Sequence, residues 1–178
     1  MGLKTLSALA LAAMAGVSQA ALFVESEANN TLATADFIGS YAAPGDGIVV
    51  DGTITPGDVD WFCFTITDPA AYVVSAAFAL PTSTAGDDGF MGLFDSSGTL
   101  LESDDDDNIG FMPALEFAGL TAGTYYIALT GFGDPDFNGS GHTENFAYKM
   151  VIGLNLIPTP GAVALLGLGG LAAARRRR

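Results

Sequence analysis

The stretch GTITPGDVDWFCFTI, Gly52 to Ile66, decides the fold. At its centre Pro56-Gly57-Asp58 is turn chemistry: proline presets one backbone angle, glycine tolerates a positive one, and aspartate bonds its own backbone. After the turn, Phe62, Phe64 and Ile66 fall on one side of an extended chain. Such period-two alternation of large apolar residues marks a strand with one face on a core. The stretch reads as strand, turn, strand.

The same pattern repeats outward. Candidate strands are Gly47 to Ile54, Asp60 to Thr67, Tyr72 to Ala79, Phe90 to Phe94, Thr99 to Glu102, Ala114 to Phe117, Thr124 to Thr130 and Phe146 to Leu154. Asp87-Asp88-Gly89, Ser96-Ser97-Gly98, Ala122-Gly123 and the run from Gly131 to Glu144 separate them. Tyr125, Ile127 and Leu129 repeat the alternation of Phe62, Phe64 and Ile66, and both triplets are candidate core. No helical period longer than two turns occurs between Ala21 and Ile157. At most one short helix is expected, within Asn30 to Phe37. About eight short strands at this spacing predict an all-β fold, an antiparallel, jelly-roll-like β-sandwich. Trp61 is assigned to packing or a sheet edge.

Charge narrows the function. All 20 acidic residues lie between Glu25 and Glu144, and the only basic residue from Ala21 to Ile157 is Lys149, so this piece carries a formal charge of −19. It has no basic surface with which to neutralise phosphates, which excludes nucleic acid and anionic membranes as partners. Self-repulsion on this scale is relieved by counterions or bound cations, and calcium suits carboxylate and carbonyl oxygens. Cys63 is the single cysteine, so no disulfide forms within the chain, and without electropositive neighbours its thiol is not a nucleophile.

The two ends read as addresses. Residues 1–20 have Lys4 near the start, an apolar run from Leu9 to Val17, and small residues at Ser18 and Ala20, the pattern of a signal helix cleaved after Ala20. Residues 21–157 form the secreted domain, and residues 158–178 a separate tail. In that tail Gly161 to Ala174 would make a short hydrophobic helix of about 21 Å, against about 30 Å of hydrocarbon, so it suits transient membrane insertion. Arg175, Arg176, Arg177 and Arg178 would stop it on the cytoplasmic side.

Pro158-Thr159-Pro160, the glycine- and alanine-rich stretch and the terminal arginines together resemble the PEP-CTERM sorting signal of exported bacterial proteins. The resemblance implies the export machinery and a membrane-embedded sorting protease of the exosortase type as partners, with processing near Pro158. Thr159 stands where that signal usually has Glu.

Within the domain, ESEANNTLATA (25–35), GTITPGDVDWFCFTI (52–66), GLFDSSGTLLESDDD (92–106) and LTAGTYYIALTGF (120–132) resemble, in this order, the bacterial pre-peptidase C-terminal domain. That resemblance implies a secreted β-sandwich. Some members bind calcium where an acidic N-terminal segment meets the turn before an Asp-x-Asp strand, which here implies Glu25, Glu27, Asn29, Asn30, Asp58 and Asp60 as ligands. Asn30 stands where Asp is usual. The residues alone leave two readings, a cation bridging two segments distant in sequence or a solvated arm beside an acidic turn.

Asp104 to Gly110 is a second acidic run. Framed on Asp105 as a calcium loop it lacks a side-chain ligand at Ile109 and has no flanking helices, so it reads as a solvated loop. His142, the only histidine, lies in a glycine-rich stretch read as flexible. With a single histidine, neither a histidine-based zinc site nor a serine-histidine-aspartate arrangement assembles, and no catalytic residue is assigned. The expectation is a non-catalytic cell-surface or extracellular matrix protein. The alternatives are a module binding an extracellular polysaccharide or a surface protein, or an accessory domain related to secreted peptidases.

Overall fold

A computed structural model describes residues 21–41, 47–67, 70–79 and 87–155. The signal helix of residues 1–20 and the tail of residues 158–178, with both processing points, lie outside the described residues. Among the described residues ten strands account for nearly all of the regular structure: β1 (Ala21–Val24), β2 (Asp36–Tyr41), β3 (Gly47–Ile54), β4 (Val59–Ile66), β5 (Ala70–Ala79), β6 (Gly89–Phe94), β7 (Leu100–Asp104), β8 (Ala114–Leu120), β9 (Gly123–Gly131) and β10 (Phe146–Asn155). Among the described residues no helix is long and apolar enough to cross a membrane.

The strands form two five-stranded sheets, ordered β1-β3-β10-β5-β8 and β2-β4-β9-β6-β7. The eight strands from β3 to β10 give four neighbours per sheet in jelly-roll order, all antiparallel. These are the eight that the sequence pattern marks. The expectation of a purely antiparallel sandwich is corrected by β1 and β2, which pair in parallel with β3 and β4 at one edge of each sheet. Both are short. Neither carries enough alternation to be read as a strand, and their pairing is set by what lies beside them.

Within Asn30 to Phe37, where at most one short helix is expected, there is a single 3-10 turn, Leu32–Thr34. The hydroxyls of Thr31 and Thr34 lie 2.8 Å apart and bond locally, competing with helical bonds, while the Asp36 carboxylate accepts from the Ser26 amide at 2.8 Å and hydroxyl at 2.7 Å. Asp36 and Phe37 thereby enter β2 instead.

Between the sheets lies the main core. Phe62, Phe64 and Ile66 on β4 and Tyr125, Ile127 and Leu129 on β9 face it together with Ile48, Val50, Ile54, Phe146, Tyr148, Met150 and Ile152 from the other sheet. Full burial of each large side chain contributes about 1.5–3 kcal/mol. Trp61, on the opposite face of β4, is also buried. It sits in a second cluster with Val59, Phe94, Ala128 and Phe137, capped by Leu32 and Ala35. Phe137 comes from the segment 131–145, which runs from the last residue of β9 to the start of β10, and its ring stacks on Phe90 at 5.0 Å and meets Phe94 edge-on at 5.2 Å. The glycine-rich segment read as flexible is therefore packed against the sheet. Its ordering comes from one aromatic anchor and from buried polar contacts of Asp134 and His142.

Candidate cation-binding site

β4 starts with Val59-Asp60-Trp61-Phe62, and strand alternation puts Asp60 on the same face as Phe62, toward the inside of the sandwich. Asp60 is fully buried there. Across the gap, Tyr148 on β10 donates from its hydroxyl to Asp60 Oδ2 at 2.8 Å and lies 3.2 Å from Glu25 Oε2. Glu25 follows β1, whose pairing with β3 continues as Glu25 N–H to the Asp51 carbonyl at 3.0 Å. Its other oxygen accepts from the Thr53 amide at 2.6 Å. The space for this convergence is made by Gly52. Its neighbours at inward positions are Val50 and Ile54, but a Cβ at Gly52 would overlap Glu25 Oε2 and the Tyr148 ring.

The arm then runs past the turn. Trp61 N–H bonds the Asn29 carbonyl at 3.1 Å, and Asn30 Nδ2 donates to Asp58 Oδ1 at 3.0 Å. Asp58 also organises its own turn, accepting from the Val59 amide at 3.0 Å and from the Thr55 amide and hydroxyl at 3.3 Å. All six residues singled out in the sequence thus meet where the arm crosses the turn. Oxygens of Glu25, Glu27 and Asp60 come within 4.8 Å of one another, a spacing that can hold a metal ion.

Buried polar atoms test whether the residues fit such an ion. Asn29 Oδ1 and Nδ2, Asn30 Oδ1 and Asp60 Oδ1 are shielded from solvent and have no hydrogen-bond partner among the described residues. Leaving a buried polar group unsatisfied costs about 1–3 kcal/mol. Three of these four are oxygens, one of them from the carboxylate group itself, and oxygen is the donor type that hard divalent cations take. The donor set fits.

Electrostatics agree. Burial, then the hydrogen bond and charge of Glu25, pushes the Asp60 carboxyl up from the ordinary 3.8 to about 10, so without a cation it keeps its proton. Burial raises Glu25 too, opposed by the hydrogen bonds from Asp60, Thr53 and Tyr148. Glu27, although exposed, is raised by partial desolvation and by the charges of Asp58, Glu25 and Asp36. A proton on Asp60 stands where a positive charge is wanted.

The second acidic run behaves differently. Asp104, Asp105 and Asp106 can also bring oxygens within 4.8 Å, but Asp104 Oδ2 already accepts the Asp107 and Ala114 amides at 3.1 and 2.8 Å. Glu116 lies on β8, so the calcium-loop frame has no structural counterpart. Cys63 is half-buried, and burial raises its thiol pKa, which keeps it protonated.

Tyr148, Gly52 and the Thr53 amide are site components that the sequence reading missed. Tyr148 looks like one more inward residue of β10. The available signal was Gly52, a glycine in line with the apolar inward positions Ile48, Val50 and Ile54 of β3. Also unforeseen is a buried polar group behind the turn, Thr130, Asp134 and His142.

No family model matches the chain, and no curated protein matches it. Among solved structures it is similar to the pre-peptidase C-terminal domain of collagenase from Bacillus anthracis, at 16% identity and a TM-score of 0.44 over 66% of this chain and 93% of that chain. It is also similar to the Yersinia pseudotuberculosis-derived mitogen, at 11% identity and a TM-score of 0.45 over 63% and 88% of the two chains. A third is Aeromonas hydrophila PliG, a periplasmic inhibitor of g-type lysozyme, at 9% identity and a TM-score of 0.39 over 67% and 98%.

Proposed function

We propose that this chain is an exported, non-catalytic β-sandwich of the cell surface or extracellular matrix, whose N-terminal arm is clamped to the sandwich by calcium. Glu25, Glu27 and Asp60 supply carboxylate oxygens, and Asn29 and Asn30 supply amide oxygens. Asp58 holds Asn30 and the turn in place and adds negative charge beside the ion. Residues 1–20 direct export, and residues 158–178 direct sorting through a transient membrane stage.

One observation carries the cation reading: carboxylate oxygens of Glu25, Glu27 and Asp60 converge within 4.8 Å, and Asp60 Oδ1 and the side-chain oxygens of the adjoining Asn29 and Asn30 are shielded from solvent with no hydrogen-bond partner among the described residues. A merely solvated acidic arm would expose these groups to water, where they cost nothing. Outside the cell calcium is the hard cation whose flexible coordination suits such a mixed set.

The test is a thermal melt of the domain with calcium, with magnesium at equal ionic strength, and with EDTA. An ion that binds the folded state alone stabilises it by about 2.7 kcal/mol at a hundredfold excess over its dissociation constant, a shift of several degrees for a domain of this size. Magnesium, which demands octahedral geometry and keeps its waters, should shift the melt far less. Equal shifts by both ions, or an undiminished calcium shift in the D58N/D60N double variant, would show that screening of the −19 charge is the whole effect.

A further inference from the structure

Asp58 is gripped from two directions. Toward the arm its carboxylate binds Asn30, whereas its backbone carbonyl accepts from Thr130 Oγ1 at 2.9 Å and from His142 Nε2 at 3.0 Å. A carbonyl has two lone pairs, and both are used. Thr130 and His142 are buried; Thr130 immediately precedes the segment 131–145, and His142 lies within it near its end.

The segment is closed upon itself. Asp134, also buried, accepts from the Thr130 hydroxyl at 3.1 Å, so that the one hydroxyl proton is shared between Asp134 Oδ2 and the nearer Asp58 carbonyl, and it accepts the Asn138 amide at 3.1 Å and the Gly139 amide at 2.8 Å. Its crest lies on the turn itself, because a Cβ at Gly139 would overlap the Gly57 carbonyl. On the far side Phe137 packs edge-on against Trp61 at 6.2 Å. Trp61 is the residue after Asp60 and the only tryptophan in the chain.

We propose that the segment 131–145 is a buttress that presets the cation-binding turn, with Thr130 and His142 as positioning residues acting through the Asp58 carbonyl. The inference rests on the cation reading above and adds to it. Several like charges crowd the turn, and their repulsion favours any relaxation that separates them. Two buried hydrogen bonds from behind oppose that relaxation, so the oxygens stay at ligand spacing before an ion arrives. Loss of groups that orient metal ligands typically weakens binding by about tenfold or more.

The experiment measures calcium affinity through Trp61 fluorescence and by calorimetry, together with the melting temperature in EDTA. Thr130→Val removes the hydroxyl and keeps the shape, Thr130→Ser keeps the hydroxyl, and His142→Leu removes the other donor should the valine variant fail to fold. The expected result is affinity about tenfold weaker in Thr130→Val and His142→Leu, with Thr130→Ser within about twofold of the parent. A merely structural role would lower the EDTA melting temperature and leave the affinity unchanged. Parent-like affinity in folded Thr130→Val or His142→Leu overturns the buttress and leaves the cation site standing. A parent chain with no calcium response overturns both.

Discussion

At the scale of the residue, the site turns on Asp60 and Gly52. Asp60 lies at the inner end of β4, where burial raises its carboxyl from 3.8 to about 10. Between those values the folded chain holds one more proton than the unfolded chain. Its contribution is therefore fully present below about pH 4 and is lost as pH rises toward 10, a slope near −1.4 kcal/mol per pH unit from this group. Urea denaturation in EDTA at pH 6 and pH 8 should show that slope relative to Asp60→Asn, in which the neutral amide removes it. Coincident pH dependences of parent and variant would remove Asp60 from this role. Calcium must displace the same proton, so binding at pH 7 should acidify a weakly buffered solution. Gly52→Ala tests the other residue. The added methyl must move Glu25 or Tyr148, so we expect a loss of about 1–3 kcal/mol and a weakened calcium shift.

At the scale of the element, β1 and β2 are attachments to an eight-stranded frame. β1 has four residues, three of them exposed, and its one inward anchor, Phe23, meets Phe62 edge-on at 6.4 Å. So short an edge strand holds its place weakly by itself. Its register beside β3 is extended by the Glu25 amide on Asp51 and the Glu25 carboxylate on the Thr53 amide. A cation drawing on Glu25 and Glu27 would add a tether at the end of β1. Hydrogen exchange should therefore slow at residues 22–30 when calcium is added, with little change in β6 to β9. Uniform slowing across the domain would mean that calcium acts on global stability without clamping the arm. The β9 to β10 connection shows the opposite case, a long glycine-rich segment fixed by Phe137 and Asp134.

At the scale of the whole molecule, the proposed roles separate: the sandwich carries the cation site, and residues 158–178 carry the address. Deleting Arg175 to Arg178 should leave the melting curve and calcium shift of the domain unchanged while the protein accumulates unprocessed or misplaced in its native host. Mass spectrometry of the native mature protein with those arginines intact would contradict cleavage near Pro158. The sequence by itself determined the eight strands of the frame, because period-two alternation and turn residues such as Pro56-Gly57-Asp58 are local properties of a chain. It also placed the six candidate ligands on two segments, through a resemblance in their spacing. What only the tertiary structure decided is which strands lie side by side and what meets inside. The parallel pairing of β1 and β2, the hydroxyl of Tyr148 between carboxylates 88 and 123 positions away, and the carbonyl of Asp58 held by His142 across 84 positions leave no periodic trace. Alternation records which way a side chain points; which partner it finds there depends on the packing of two sheets, and that is a property of the folded whole.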